Sequence, residues 1–341
     1  MRPKLERSRA KSESFDHVEN GESVGADRRF LTALAELRKA AKTHSPVLIT
    51  GESGTGKELA ARTVHYSSAY RDGPLLVVNC AGMAPTLIAS ELFGHEKGAF
   101  TDAKEQKIGK IEAAMGGSLF LDEIGDLPLE LQGFLLRFLE DKTIERVGGT
   151  RHISVDTRII AATNADLTQR VVQGRLRQDL YYRLNVLPIH LPPLRERGVD
   201  SILIARYYLE KFKGEFDRPD LRLDEDAVEV IGRHDWPGNV RELVATLRRA
   251  VVMSETDAIG AAALRLRVAR TVSMPTTLQA SVDHAERTAI QMALIKNNEN
   301  VNRAARELGV SRVTLYRLMS KHAIVLTSRQ RLGPRYGDLV Q

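Results

Sequence analysis

The chain has 341 residues, of which 43% are hydrophobic and 28% are charged, and its net charge is +6. This length favours two or three packed domains, and the composition excludes a disordered or fibrous protein. The positive charge is compatible with a polyanionic partner but does not identify one. A single cysteine, Cys80, excludes an internal disulfide framework and a cysteine-based zinc site.

Residues 1–23 are predicted to form a flexible tail. They are rich in charged residues and lack the apolar segment of a secretory signal. No apolar run elsewhere in the chain approaches the length needed to span a membrane. We therefore expect a soluble, cytoplasmic protein without a membrane segment.

Residues 24–197 alternate between helical patterns and short apolar runs. The pattern from Asp27 to His44 places Phe30, Leu34 and Leu37 on one helical stripe, ahead of the apolar run PVLIT. Further apolar runs are LLVVNC, SLFLDE and TRIIAAT, with helical patterns such as LPLELQGFLLRFLED between them. This alternation predicts an α/β domain whose mostly parallel sheet is covered on both faces.

The pattern changes after Pro193. Residues 198–268 show only helical periodicity and are interpreted as a small helical lid. Residues 269–282 lack periodicity and are predicted to be a linker. An all-α unit of three helices is predicted over residues 283–322, and residues 323–341 form a tail without a clear signal.

The run GESGTGKE follows the strand PVLIT directly and fits the start of the P-loop pattern. Its glycines allow a tight turn whose backbone amides point at phosphates, and the next helix adds its positive N-terminus. Lys57 is expected to reach the β and γ phosphates. A glycine-rich connecting turn is the alternative interpretation. The predicted phosphate-binding residues are Gly51, Glu52, Ser53, Gly54, Thr55, Gly56, Lys57 and Glu58.

Two further apolar strands end in polar side chains. SLFLDE ends with Asp122 and Glu123, where Asp122 is suited to hold magnesium and Glu123 to polarise an attacking water. A simple turn cap is the alternative for this pair. TRIIAAT ends with Thr163 and Asn164, which are expected at the same edge of the sheet, where they could sense a γ-phosphate.

The last predicted helix, SRVTLYRLMSKH, has one apolar and one polar face. Gly309 is expected to form the turn before it, Ser311 to cap it, and His322 to pack inside with Leu315, Leu318 and Met319. The outer face is suited to DNA, although a solvated basic face is the alternative. The predicted DNA-binding residues are Ser311, Arg312, Val313, Thr314, Tyr316, Arg317, Ser320 and Lys321.

Several segments in order resemble one known family. GESGTGKE, SELFGHEKGAFTDA, SLFLDEIGDLP, ERVGG, AATNADL, LYYRLNVLPIHLPPLRER and WPGNVREL are similar to the AAA+ domain of sigma-54-dependent activators, over roughly residues 24–268. The three C-terminal helices resemble the Fis-type helix-turn-helix of the same family. The resemblance implies an AAA+ P-loop sheet with a helical lid, and ATP and Mg²⁺ as cofactors. It also implies a P-loop that ends in glutamate, which is Glu58 in this chain.

The same resemblance implies roles for residues that the sequence pattern alone does not single out. Asn79 resembles the residue that switches Glu123 between hydrolysing and idle states. Arg177 and Arg183 resemble arginine fingers that reach a neighbouring subunit's γ-phosphate, which requires a ring. Arg241 resembles the lid arginine that contacts nucleotide. For each of these side chains, an ordinary structural role is the alternative.

The family carries a surface loop, written GAFTGA, that touches the sigma-54 factor. In this chain the corresponding residues are Gly98, Ala99, Phe100, Thr101, Asp102 and Ala103. Asp102 therefore replaces a glycine, which adds a charge and restricts the backbone.

Two functions follow as hypotheses. The first is an enhancer-bound, ATP-hydrolysing ring that remodels RNA polymerase holding sigma-54 and opens promoters. We expect a homo-hexamer or a hetero-hexamer with a paralogue. No receiver domain fits before residue 24, so a regulatory protein in trans, a paralogue or the expression level would control the activity of this ring.

The second hypothesis is an ATP-binding, DNA-binding regulator that does not act through sigma-54. The aspartate at position 102 favours this hypothesis.

Overall fold

The computed structural model describes residues 24–101, 103–266, 278–297, 299–324 and 326. Residues 24–266 belong to one compact unit, and the described residues from 278 onward belong to another. The predicted tail 1–23, most of the predicted tail 323–341 and much of the predicted linker lie outside the described residues. None of the described helices is long and apolar enough to cross a membrane.

The helices and strands of the first unit alternate along the chain, as predicted. Its strands are β1 Val47–Thr50, β2 Leu75–Asn79, β3 Gly94–His95, β4 Lys107–Ile108, β5 Ser118–Asp122, β6 Thr143–Ile144, β7 Ile153–Ser154, β8 Arg158–Thr163, β9 Leu187–His190, β10 Arg222–Leu223 and β11 Ala258–Ile259. Its helices are α1 Arg28–Ala41, α2 Lys57–Tyr66, α3 Pro85–Phe93, α4 Lys110–Ala113, α5 Leu129–Asp141, α6 Leu167–Val172, α7 Gln178–Leu184, α8 Asp200–Glu215, α9 Glu225–Arg233, α10 Asn239–Met253 and α11 Ala261–Leu264.

A five-stranded parallel sheet in the order β2-β5-β8-β1-β9 forms the centre of this unit. Four of its strands coincide with the predicted apolar runs. The fifth, β9, was not predicted, because only Ile189 in it is buried and Pro188 interrupts the pattern. Proline is tolerated here because β9 is an edge strand.

Both faces of the sheet are covered, which confirms the predicted layers. In β5, Leu119 and Leu121 pack into the core beside α5, whereas Phe120 packs on the opposite face with α1. The predicted stripe of α1 is buried as a whole, and Asp27 caps the helix by accepting the N–H groups of Arg29 and Phe30.

The buried side chain of Arg158 joins the start of β8 to the end of α1. Its guanidinium donates to the carbonyls of Ala40 at 2.7 Å and Ala41 at 2.9 Å, and also to that of Thr43. The carbonyls of Ala40 and Ala41 belong to the last turn of α1, so the arginine places a positive charge at the negative end of the helix dipole.

The lid is formed by α8 to α11. Trp236 is buried in it and donates its indole N–H to the carbonyl of Ile231 at 2.9 Å. The prediction of helices alone was wrong in one respect, since the short strands β10 and β11 pair in parallel between the helices. Two-residue strands are too short to produce a period-two pattern in the sequence.

The second unit contains α12 Leu278–Lys296, α13 Val301–Glu307 and α14 Arg312–Lys321. The three predicted helices are therefore present, but α12 begins five residues before the predicted boundary, because no helix-breaking residue separates Leu278 from Asp283. Gly309 adopts φ 67° in the turn, and Ser311 caps α14 by accepting the N–H of Thr314 at 3.0 Å. Leu315 and Met319 fill the core between the helices.

A buried ion pair fastens the lid to the beginning of the first unit. Arg197 Nε lies 2.9 Å from Asp200 Oδ2, and both side chains are almost completely buried. Asp200 Oδ1 also accepts the N–H groups of Ala26 and Asp27, and Arg197 donates to the carbonyl of Val24. The chain entering the unit is thus held by the first residues of the lid.

Breaking this pair is expected to destabilise the first unit strongly. Asp200→Ala leaves Arg197 buried without its partner, so we expect a loss of about 3–5 kcal/mol in the free energy of unfolding. Urea titration followed by fluorescence of Trp236, the only tryptophan, measures this. The control is Glu196→Ala, which removes an exposed pair with Arg29 and should cost about 0–1 kcal/mol. Equal, small losses for both variants would contradict the assignment.

Candidate functional site

The carboxyl ends of the central strands meet at one edge of the sheet. The register pairs Thr50 with Thr163 and Asn79 with Asp122. The residues that follow these strands therefore lie side by side, as the apolar runs and their polar ends predicted. This edge is where open α/β sheets bind ligands.

The loop between β1 and α2 has the backbone expected of a phosphate cradle. Gly51, Gly54 and Gly56 all adopt positive φ, at 153°, 79° and 102°. A Cβ at Gly54 would overlap the carbonyl of Gly238 from the lid, whereas one at Gly56 would meet open space. Lys57 is buried at the helix start and donates to the carbonyls of Gly51 at 3.0 Å and of Glu52.

Glu123 lies opposite this lysine. It adopts a left-handed backbone at φ 51°, which is strained for a residue with a Cβ. Its Oε1 lies 3.6 Å from Lys57 Nζ, and its Oε2 accepts the N–H of Asn164 at 3.0 Å. The structure thus brings the predicted lysine, glutamate and β8 residue together around one space.

Asp122 precedes Glu123 and is half-buried. Its Oδ1 accepts the N–H of Glu123 at 3.1 Å. Burial, with the charge of Glu123, raises the pKa of the Asp122 carboxyl, while Lys57 acts in the opposite direction. The neighbouring carboxylates of Asp122 and Glu123 offer oxygen ligands suited to a hard divalent cation. Such a cation would relieve the repulsion between the two negative charges.

The other predicted residues of this edge have partners of their own. Asn79 Oδ1 accepts the N–H of Ala81 at 2.8 Å, and Thr163 Oγ1 accepts that of Ala165 at 3.0 Å. Glu58 is exposed and pairs with Arg62 at 2.9 Å. The switching role of Asn79 stays a prediction, since in this conformation Glu123 is bonded to Asn164.

The lid holds the tip of the P-loop through a polar network that sequence reasoning only partly found. Arg241 Nη1 donates to Ser53 Oγ at 2.9 Å, so the predicted lid arginine does lie at the loop. The fully buried Asn239 donates to Glu52 Oε2 at 3.1 Å and to the carbonyl of Ser53 at 3.0 Å. The two terminal nitrogens of Arg195, Nη1 and Nη2, each donate to one oxygen of the Glu52 carboxylate, at 2.8 and 2.6 Å.

An apolar cavity lies beside the P-loop and was also missed. Its lining includes Val24, Phe30, Leu59 and Tyr208 from four different segments, next to Thr55 and Gly56 of the loop. Phe30 belongs both to the buried stripe of α1 and to this lining, because a core stripe and a pocket wall give the same helical pattern. The cavity therefore places an apolar surface directly beside the phosphate-binding loop.

The two predicted finger arginines lie together on the side of α5. Arg177 is the N-cap of α7 and pairs with Asp179 at 2.7 Å in an exposed position. Arg183, in the last turn of α7, donates to the carbonyl of Leu139 at 3.1 Å. Among the described contacts, neither arginine reaches the P-loop of its own chain within hydrogen-bonding distance.

The predicted sigma-contact loop extends between β3 and β4. The N–H of Gly98 donates to the carbonyl of Ala103 at 2.8 Å and closes the tip. Phe100 is partly exposed and packs edge-on against the ring of His95, with centroids 4.9 Å apart. Ala99 touches Gly148 of the ERVGG segment. Asp102 lies outside the described residues.

On α14, most of the predicted DNA-binding residues form an exposed surface. Val313 and Arg317 are exposed, and Arg312 lies over the ring of Tyr316. Lys321 differs, because its Nζ is bonded at 2.8 Å to both Asp283 and Glu286 of α12. Its charge is therefore balanced within the unit.

His322 follows α14 and packs inside the unit, as predicted. Its side chain is nearly buried, and Nε2 lies 2.9 Å from Glu286 Oε2.

Comparison with known proteins agrees with this arrangement. Models of the sigma-54 interaction domain, the AAA+ ATPase lid domain and the bacterial regulatory protein, Fis family match residues 23–190, 195–281 and 281–322. The transcriptional regulatory protein ZraR of Escherichia coli is 43% identical over 303 residues, covering 87% of this chain and 68% of that protein. The chain belongs to the family of sigma-54-dependent transcriptional regulators.

Other members of this family are similar over comparable lengths. The hydrogenase transcriptional regulatory protein HoxA of Bradyrhizobium diazoefficiens is 44% identical over 301 residues, covering 85% of this chain and 62% of HoxA. The crystal structure of NtrX from Brucella abortus in complex with ATP superposes with a TM-score of 0.68 at 32% identity, covering 89% of this chain and 70% of that one. The chain thus spans about two thirds of the length of these relatives.

The bidentate pair between Arg195 and Glu52 gives this regulator a pH-dependent stability. Hydrogen bonds from Arg195, with a smaller effect of Asn239, lower the pKa of Glu52 from 4.5 to about 2, against the opposing effect of burial. A carboxyl whose pKa is depressed on folding stabilises the folded state above its unfolded pKa. That contribution disappears as the pH falls through the folded value.

Comparing wild type with Glu52→Gln isolates this contribution. The difference in their free energy of unfolding should be constant above about pH 5 and shrink steadily between about pH 4.5 and pH 2. Urea midpoints at each pH provide the measurement. Glu58→Gln, at an exposed position in the first turn of α2, should stay within about 0.5 kcal/mol of wild type at neutral pH. A difference that is independent of pH would refute the depressed pKa.

Proposed function

We propose that this sigma-54-dependent regulator is a DNA-binding transcription activator. It uses ATP hydrolysis to remodel RNA polymerase that holds sigma-54 and so drives open-complex formation. The observation that carries the proposal is the convergence of Lys57, Glu123 and Asn164 at one sheet edge, in a chain that also matches a sigma-54 interaction domain and a Fis-type DNA-binding unit. DNA as partner favours action in the cytoplasm.

ATP fits the cleft beside the P-loop. Its phosphates would lie on the amides of the glycine loop with Lys57, which turns from the carbonyls of Gly51 and Glu52 to the β and γ oxygens. Its base would occupy the apolar cavity that contains Val24 and Tyr208. The complex of NtrX with ATP, from a protein of similar fold, supports this assignment.

Hydrolysis requires an activated water and a stabilised γ-phosphate. Glu123 is held with one carboxylate oxygen on the Asn164 N–H, leaving the other directed toward Lys57 and available to polarise a water. Asp122 would hold Mg²⁺, with Glu58 nearby on α2. When bound, Mg²⁺ supplies charge neutralisation for the phosphate oxygens. Release of the Asn164 contact would accompany loss of the γ-phosphate.

The finger arginines require a neighbouring subunit. Arg177 lies at the N-terminus of α7 and Arg183 in its last turn, on a surface that also exposes Tyr182 and Val186. A guanidinium delivered to a neighbour's γ-phosphate stabilises the charge of the transition state. We propose a closed ring, a homo-hexamer or a hetero-hexamer with a paralogue, which a regulatory protein in trans could control.

The loop around Phe100 would transmit the hydrolysis cycle to sigma-54. Phe100 rests on His95, and His95 Nδ1 is bonded to Ser90 Oγ of α3 at 2.8 Å. Arg146 of the ERVGG segment holds Glu96 at 2.9 Å and Glu112 at 2.8 Å, so the base of the loop is cross-braced. The aromatic tip would lose its His95 contact when it engages a partner.

A second candidate function rests on residue 102. Aspartate stands at the position where the family loop carries glycine, in a segment proposed to touch sigma-54. An added negative charge at the tip could prevent docking. The protein would then be an ATP-binding, DNA-binding regulator that does not act through sigma-54. Pull-down of sigma factors on the immobilised chain separates the two candidates.

The motor function predicts a specific effect of Glu123. Glu123→Gln should reduce ATP turnover by about 100-fold or more, because the water-activating carboxylate is lost. Binding of a fluorescent ATP analogue should remain within about threefold of wild type, since the P-loop is unchanged. Glu130→Gln, an exposed glutamate of α5, is the matched control and should keep wild-type turnover. Full turnover in Glu123→Gln would contradict the role.

The DNA-binding function predicts unequal effects on α14. Arg317→Ala should weaken binding by at least about tenfold, the cost of one base or phosphate contact. Lys321→Ala should weaken it by less than about threefold, because Asp283 and Glu286 already balance that charge. Fluorescence anisotropy on a DNA duplex selected by the wild-type chain from a random library measures both. Equal losses would place Lys321 in the DNA contact after all.

A further inference from the structure

Gln132, near the start of α5, is completely buried and makes three hydrogen bonds. Its Nε2 donates to the carbonyls of Leu127 and Arg175, both at 2.9 Å, and its Oε1 accepts the N–H of Arg177 at 2.8 Å. Only an amide nitrogen can donate to two carbonyls, so the orientation of the side chain is fixed. All three partners are backbone groups.

The two ends of this network belong to different parts of the proposed catalytic apparatus. Leu127 ends the short 3-10 turn Ile124–Asp126, which begins at Glu123. Arg175 and Arg177 lie immediately before α7, and Arg177 is its N-cap. Gln132 therefore bridges the turn after the water-activating residue and the segment that presents the first arginine finger.

The local packing leaves Gln132 as a main determinant of where Arg177 lies. The guanidinium of Arg177 is exposed and bonds only within its own segment, to Asp179. The backbone N–H of Arg177 is bonded to Gln132, and the neighbouring Leu176 is buried. The N–H groups of Arg175 and Leu176 also donate to the carbonyl of Arg170, so Gln132 supplies the bond from α5 to this segment. Without the amide, the buried bond to the carbonyl of Leu127 and the part-buried bonds to the carbonyl of Arg175 and the N–H of Arg177 are lost, so the segment before α7 is no longer tied to α5.

We propose that Gln132 is a positioning residue that holds Arg177 for its action on the ATP site of the neighbouring subunit. The inference rests on the proposed function, in which Arg177 acts in trans. Gln132 is carried by α5 and is fixed by its bond to the carbonyl of Leu127. Its bond to the N–H of Arg177 then fixes the position of that residue. Misplacing a catalytic group by about 1 Å can cost about 100-fold in rate, so a side chain that never touches nucleotide can control turnover.

The variant Gln132→Met removes all three hydrogen bonds with little change in volume. ATP turnover by the assembled chain should fall by at least about tenfold, while the affinity for an ATP analogue stays within about twofold. Gln173→Met is the matched control, because Gln173 is an exposed glutamine at the end of α6 in the same region. It should keep wild-type turnover. If Gln132→Met does not fold, Gln132→Asn, which keeps a neutral amide but is too short to reach all three partners, replaces it with the same expected result.

Mixing variants separates an effect on the neighbour from a general structural defect. Glu123→Gln subunits cannot activate water but have an intact segment around Arg177. Gln132→Met subunits keep Glu123 but have a displaced Arg177. In a random equal mixture, about one quarter of the sites combine an intact Glu123 with a correctly placed neighbouring finger, so turnover should recover to about one quarter of wild type. The mixture of Arg177→Ala with Glu123→Gln is the reference for action in trans.

Recovery in both mixtures supports the assignment of Gln132. Recovery with Arg177→Ala but not with Gln132→Met would overturn it, because Gln132 would then act within its own subunit or only on the fold. If neither mixture recovers, Arg177 does not act in trans, and the proposed ring mechanism fails together with the role of Gln132. A fall in the control Gln173→Met would show that the region is merely sensitive to substitution, and it would also overturn the inference.

Discussion

The parallel pairing of β1, β8 and β5 is the constraint on which the remaining structure depends. Because these strands run in one direction, their polar ends converge, and Lys57 comes within 3.6 Å of Glu123 although the two are far apart in the chain. The sheet is covered on both faces, so its edge is fixed by packed side chains on either side.

Two polar networks extend from this edge in opposite directions. Glu52, with Arg195 and Asn239, ties the P-loop to the lid, whereas Gln132 ties the turn after Glu123 to the segment before α7. Directional hydrogen bonds of this kind are suited to such connections, because they hold one geometry and are lost when a segment moves. Apolar contacts alone would allow the two connected segments to slide past one another. The lid and the segment before α7 are thereby both connected to the sheet edge that carries Lys57 and Glu123.

The sequence predicted the local parts of this arrangement well. Four central strands, α1, α5 and the three C-terminal helices carry strong periodicity, and the P-loop and the Asp122–Glu123 pair follow strands directly. Features that depend on distant partners were not visible. Glu52 and Arg195 are 143 positions apart, and Arg158 caps a helix 117 and 118 positions away. Strand β9 and the pair β10–β11 lack a pattern because edge position and shortness, not alternation, define them. The fully buried Gln132 looks like one polar residue in a helix until its backbone partners are known.

The central claim is that ATP hydrolysis at this sheet edge opens promoters through sigma-54. Open-complex formation by purified polymerase holding sigma-54, with ATP and a promoter that carries the selected DNA site, tests it most directly. The account predicts open complexes with the native chain and none with Glu123→Gln, which would also show that Asp102 permits coupling. If the native chain hydrolyses ATP and binds the DNA yet opens no promoter, while Asp102→Gly does, the claim is contradicted and regulation without sigma-54 takes its place.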